Sequence, residues 1–275
     1  MHAFWVVKRA LPVIAFIVFS FGVGYSVYEL HNKGVNFKLD VMLVLVLFSG
    51  PLSMHMAVRR FQVIARLYGG RFHYLESLKV VVYGGLANML PLPGGLMVRI
   101  GALQQRIGTQ KSLYGNAIGV LVWISLGALS ACVALFFETT LISPIPFLLF
   151  FVISIAAVFA FAVFTHAEMG AFLSLCGVQC ILALTNILRL WLICVALGYL
   201  VAPAFPALVS LGEIVASSAG IVPGGMGLAE TIAAVIAKVF DHSPVLGFAI
   251  AGTNRLINFF CFILGLAIMF FYRNK

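Results

Sequence analysis

Leu92-Pro93-Gly94-Gly95-Leu96 and Val222-Pro223-Gly224-Gly225-Met226 repeat one pattern 130 residues apart. Each copy interrupts a long apolar stretch. Residues 75–92 and 96–107 flank the first, and residues 207–222 and 226–239 flank the second. A comfortable bilayer crossing needs about 20 apolar residues, so arms of this length broken by Pro and Gly read as helical hairpins that dip into the membrane and return. Matched interruptions in two halves of an apolar chain point to a transporter's binding site at the interface between repeats.

Composition sets the class. Hydrophobic residues fill 63% of the 275 positions and charged residues 9%, which describes an integral membrane protein and leaves no segment for a soluble catalytic domain. The formal net charge of +9 lies mostly beside apolar runs, where Lys and Arg orient the chain and meet anionic lipid; no nucleic-acid partner is expected. The five cysteines fall inside apolar segments and carry neither a metal nor a redox spacing, and no cofactor is expected.

Residues 11–28, preceded by Lys8 and Arg9, read as a retained first helix with its N-terminus in the cytoplasm. The run 39–58 ends in Arg59 and Arg60, and Arg66, Arg71 and Lys79 place the following loop in the cytoplasm as well. The first hairpin then enters from inside. Crossings at 113–137, 147–165 and 172–200 follow, the second hairpin enters from outside, and a last helix over 245–272 returns to a cytoplasmic Arg273 and Lys275. On this path 12 of the 17 Lys and Arg residues lie on the cytoplasmic side or its hairpin.

The expected fold is therefore an all-α integral membrane protein in one polytopic domain, with about six transmembrane helices plus two re-entrant Pro-Gly-Gly hairpins. Repeat 1 covers about 39–137, a linking helix 147–165, and repeat 2 about 172–272. A single linking crossing gives the two repeats opposite orientation. The expected location is the inner, cytoplasmic membrane, multi-pass, with both termini cytoplasmic.

Candidate binding residues gather at the tips and inside the later spans. Pro93, Gly94, Gly95, Pro223, Gly224 and Gly225 would leave free backbone N–H groups at helix starts, an arrangement that favours phosphate; the same glycines would also let two arms pack closely. Arg189 and Arg255 fall within spans, where a charge needs a partner or a water-filled cavity. Arg99 follows the first tip, Glu213 and Glu230 bracket the second, and Asn254 precedes Arg255. Glu230 near a helix start suits the helix dipole, while Glu213 could pair with Arg189 or Arg255. Nothing assembles into a metal cage or a nucleophile with its base.

The run Val222-Pro223-Gly224-Gly225-Met226-Gly227-Leu228-Ala229-Glu230, with Asn254-Arg255-Leu256 further on, resembles the lysylphosphatidylglycerol synthase transmembrane region, also called the flippase-like family. Pro91-Leu92-Pro93-Gly94-Gly95 and Arg99 resemble its other signature, and the likeness covers most of the chain. Where that family often carries an acidic residue beside an arginine, this sequence has Trp123-Ile124-Ser125, so Arg255 is the stronger site candidate. The resemblance implies movement of an anionic or polyprenyl-linked lipid between leaflets in a cell envelope. Lysylphosphatidylglycerol synthesis is not expected, because the sequence reaches Lys275 without an aminoacyl-transfer domain.

The leading expectation is a non-enzymatic lipid flippase or transporter whose head-group site lies between the tips, near Arg99, Arg189 and Arg255. Its partners are the lipid substrate and the bilayer, with an envelope-assembly partner or homo-oligomer left open. Two other readings stand beside it: an integral membrane enzyme acting on lipid phosphates or glycolipids, and a non-catalytic membrane partner of an envelope glycosyltransferase.

Overall fold

The computed structural model describes residues 21–26, 28–29, 32, 38–88, 94–138, 142–218 and 227–273, and among these every regular element is helical. Residues 11–28, read as a first span, lie mostly outside the described residues. In order come α1 (Leu39–Val44), a π-helical turn (Leu45–Ser49), α2 (Gly50–Arg66), α3 (Tyr74–Ala87), α4 (Gly94–Ile107), α5 (Thr109–Phe136), α6 (Ile145–Phe164), α7 (Met169–Ala196), α8 (Ala204–Ser218), α9 (Leu228–Val239) and α10 (Pro244–Arg273). Among the described residues, five helices are long and apolar enough to cross a membrane: Asp40–Arg66, Thr109–Phe136, Ile145–Phe164, Met169–Ala196 and Pro244–Phe270.

The first of these differs from the sequence reading, which ended the run at Val58. The helix continues through Arg59 and Arg60 to Arg66, because Phe61, Val63, Ile64 and Ala65 bury an apolar face there. Pro51 explains the π turn that precedes it. Proline has no N–H to give and its ring crowds the previous turn, so the ladder widens over Leu45–Ser49 before Gly50 and Pro51 restart the helix.

Packing follows a pattern of exchange. α2 packs on α7, and around that pair α3 meets α10 as α8 meets α5; α3 lies on α4 as α8 lies on α9, and α4 lies on α5 as α9 lies on α10. Swapping α2–α5 with α7–α10 reproduces each of these contacts. Two backbone bonds fix the direction of the central pair. Lys38 N, at the start of α1, donates to Ala196 O at the end of α7 (2.9 Å), and Glu168 N, at the start of α7, donates to Leu67 O just after α2 (2.8 Å). The α1–α2 helix and its counterpart α7 therefore run antiparallel.

Two large apolar cores hold the ends of the bundle, and a smaller cluster of Ala131, Leu135, Ala204 and Leu208 joins α5 to α8. One gathers Val58, Phe61 and Ile64 of α2 with Val81, Ile118, Val158 and Leu175. The other gathers Leu45 with Leu190, Ile193, Phe205, Val209, Ala233 and Ile250. The continuous α1–α2 helix, α7 and α10 pass from one core to the other, so residues near the middle of their lengths lie between the two. Outer faces carry large exposed apolar side chains, including Leu149, Phe150 and Ile153 of α6, as a surface against hydrocarbon requires.

Candidate functional site

Between the cores lies a hydrogen-bonded polar layer. Arg189, on α7 and 3% exposed, donates from Nη1 to Asn258 Oδ1 of α10 (2.9 Å) and to Ser53 Oγ of α2 (3.3 Å), and from Nη2 to Asn186 Oδ1 one turn back (2.9 Å). Asn186 Nδ2 passes the chain on to Ser210 Oγ (2.9 Å) and Glu213 Oε2 (3.2 Å), both on α8. Asn254 Nδ2 of α10 donates to both oxygens of the Glu213 carboxylate, at 2.9 and 2.8 Å. Four helices are tied together, and the Ser53 bond reaches across from one half of the chain to the other.

A second charged pair stands on α9 and α10. Arg255 Nε lies 2.9 Å from Glu230 Oε1, with the Glu230 side chain fully enclosed and that of Arg255 18% exposed. Glu230 Oε2 also accepts from Gly227 N at 2.7 Å, closing the first turn of α9. The sequence reading gave Glu230 a helix-dipole role, and the structure adds a counterion role to it. Glu213 was expected to pair with an arginine; it is attracted by Arg189 and Arg255 but meets Arg189 through the Asn186 amide, and its direct partners are neutral side chains. Asn186, Asn258 and Ser53 were not singled out as site residues. Asn186 could have been found from its spacing of three residues before Arg189, which puts both on one helix face.

Arg189, Glu213 and Asn254 thus share one network, with Glu230 and Arg255 forming the neighbouring pair. Arg99, also expected at the site, joins a different group. It lies on α4 beside Gly84 of α3, where a Cβ on Gly84 would stand 3.6 Å from Arg99 Nε, and its charge repels that of Arg60. Arg60 Cζ sits 4.5 Å from the centre of the Trp123 ring and its Nη2 donates to Gly119 O at 3.1 Å. Arg60 and Trp123 were missed. Beside Arg59, Arg60 reads as one more interfacial cation, yet helical period turns it toward the face of Val63 and Ile64 while Arg59 is exposed.

Of the tip residues, Pro93, Pro223, Gly224 and Gly225 lie outside the described residues, as does the tip-to-tip geometry expected from them. At the first tip, Gly95 N donates to Asn88 Oδ1 at 3.0 Å, so this amide is committed within the hairpin rather than free for a ligand. Gly94 packs against Ala87, and a side chain on Gly95 would collide with Asn88 Oδ1 and Gly84 O, so close packing of the arms accounts for both glycines. Among the described residues no three His, Cys, Asp or Glu side chains gather as a metal site.

These features define an all-helical multi-pass membrane protein with a charged layer between two apolar cores. No family model, no curated protein and no solved structure matches the chain.

Proposed function

We propose that the protein carries a lipid, anionic or polyprenyl-linked, from one leaflet of the cytoplasmic membrane to the other by alternating access, with no chemical step. The observation that supports this reading best is the polar layer of Asn186, Arg189, Glu213, Asn254 and Asn258. Charged side chains held between apolar cores inside membrane helices are costly, and such groups mark substrate pathways. A head group would exchange hydrogen bonds with this layer while its tails stay in hydrocarbon.

The exchangeable packing of α2–α5 and α7–α10 and the antiparallel central pair favour two inverted halves that rock about one interface. The hairpin arms favour re-entry: α3 and α4 have 14 residues each and α9 has 12, and at 1.5 Å per residue those arms reach about 21 and 18 Å, short of a hydrocarbon core of about 30 Å. The basic stretch from Arg59 to Arg71 favours a cytoplasmic location for that end of the bundle and for both termini.

Reconstitution tests the reading. In proteoliposomes holding a fluorescent phospholipid in both leaflets, wild-type protein should make the inner pool accessible to an impermeant quencher. Folded Arg189→Ala and Arg255→Ala proteins should slow this at least about tenfold, the loss expected when a head-group contact worth about 1.4 kcal/mol or more is removed. Equal rates in all three would reject both the carrier and its site.

A further inference from the structure

The two halves balance their buried charge differently. In the second half Arg189 and Arg255 are matched by Glu213 and Glu230. In the first half the buried charges of Arg60 and Arg99 repel one another, and among the described residues neither has a carboxylate partner. The chain has eight Asp and Glu residues, all within the described residues, so a counterion does not come from elsewhere in the sequence. Glu76 is taken up by Arg106 (3.4 Å), Glu138 accepts from Ala204 N (2.7 Å), and Glu168 lies at the loop beside Arg66 and Arg71.

The hydrogen-bond inventory at this place has the same sign. Arg60 Nε and Trp123 Nε1 are both enclosed donors without an acceptor among the described residues. Among the described residues Gly119 O is the one acceptor that Arg60 reaches, and it is shared with Gln179 Nε2 at 2.7 Å, which leaves Gln179 Oε1 enclosed and without a donor there. Two guanidinium groups, an indole N–H and one amide oxygen form a set rich in donors and short of acceptors. A buried donor left unpaired is costly, and paired cations more so, unless a ligand brings the missing oxygens.

We propose that Arg60, Arg99 and Trp123 form a phosphate-binding site, filled by the phosphate of a lipid head group that enters from the basic end of the bundle. Forked guanidinium donors suit the oxygens of a phosphate, and the P–OH of a singly protonated monoester supplies the donor that Gln179 Oε1 lacks. Position agrees with this. Arg60 precedes the end of α2 by six residues and Arg99 the end of α4 by eight, so they lie about 9 and 12 Å along their helices from that end. Directly at those helix ends opens a depression of about 670 Å³ lined by Arg66, Arg71, His73, Arg106 and Glu168, a basic mouth above the arginine pair. Only the lipid as source of the phosphate rests on the carrier reading; binding at the pair does not.

The test uses full-length protein in detergent carrying Trp5→Phe and Trp191→Phe, which leaves Trp123 as the only indole, so that its fluorescence reports on the Arg60 stack. Dihexanoyl phosphatidic acid should change the emission saturably, and dihexanoyl phosphatidylcholine should bind at least tenfold more weakly. Arg60→Gln and Arg99→Gln should each weaken phosphatidic-acid binding tenfold or more, while Lys238→Gln, an exposed change on α9, should leave it within twofold. If inorganic phosphate competes, the site reads the phosphate alone; if it does not, the acyl chains are needed too, and either result supports the site. Should a Gln variant fail to fold, the Lys variant replaces it and should weaken binding several-fold, because the forked donor set is lost. Binding that is absent in wild type, unchanged in both arginine variants, or equal for the two lipids overturns the proposal. Phosphatidic-acid binding without lipid movement would remove the carrier alone, and lipid movement without that binding would remove this site alone.

Discussion

Glu230 and Glu76 both face an arginine, and their surroundings give the two pairs different weights. The Glu230 carboxylate is enclosed, 2.9 Å from Arg255 Nε, whereas the Glu76–Arg106 pair spans 3.4 Å with side chains 43% and 51% exposed. Glu230→Gln would leave a guanidinium in the apolar interior without its counterion and should cost about 3 kcal/mol, with Glu230→Gln/Arg255→Gln recovering part of the loss. Glu76→Gln should cost about 0.5 kcal/mol or less. Thermal unfolding of the four proteins in one detergent checks both, and an equal cost for the two single changes would deny the enclosed pair its special standing. Sequence alone brought Arg189, Arg255, Glu213 and Glu230 to notice, because an ionisable residue in an apolar run is conspicuous, and Asn254 because it stands beside one of them. It could not say which carboxylate each arginine meets, since that depends on how α7, α8, α9 and α10 are rotated about their axes. Arg60 shows the other failure: a charge beside another charge is camouflaged, and only the continued helix to Arg66 turns it inward.

At the scale of the element, the first hairpin is closed by side chains rather than by its tip alone. Asn88 ends α3 and accepts from Gly95 N on α4, and Gly95 lies so close to Gly84 O that no Cβ fits between the arms. Asn88→Ala should cost about 1 kcal/mol, the value of a lost helix cap. Gly95→Ala should cost more, about 2 kcal/mol, because the obstacle is a backbone carbonyl that cannot step aside without parting the arms. Denaturation of the two variants ranks the effects, and the opposite order would mean that the cap, not the close approach, holds the hairpin. The doubled Pro-Gly-Gly pattern made this element legible from sequence, since it combines a helix stop with the smallest residues. Three of its four arm ends fall within two residues of the observed ones, while the sequence reading carries the first arm to Leu92, five residues past the end of α3 at Ala87. The helix before it was cut short at Val58 because charged Arg59 and Arg60 look like a terminus, while the apolar face continuing beneath them to Ala65 is spread thinly between polar positions.

At the scale of the whole molecule, the central question is whether the two halves are inverted across the bilayer, because alternating access about one interface needs that relation. The contact pattern survives exchange of α2–α5 with α7–α10, and Lys38 N to Ala196 O and Glu168 N to Leu67 O make the central helices antiparallel. Three helices long and apolar enough to span, α5, α6 and α7, lie between the loop after α4 and the loop before α8. An odd number of crossings puts those loops on opposite faces whatever the depth of the hairpins. With the five native cysteines replaced, single cysteines at Gln110 and Ala202, both exposed, report on the two loops. In intact spheroplasts an impermeant thiol reagent should label Ala202→Cys at once and Gln110→Cys only after permeabilisation, the outcome expected from the proposed cytoplasmic placement of the basic loops. Labelling of both from one side would mean that α5, α6 or α7 fails to cross; the antiparallel helices would then be an internal packing device, and rocking between leaflets would have no structural basis.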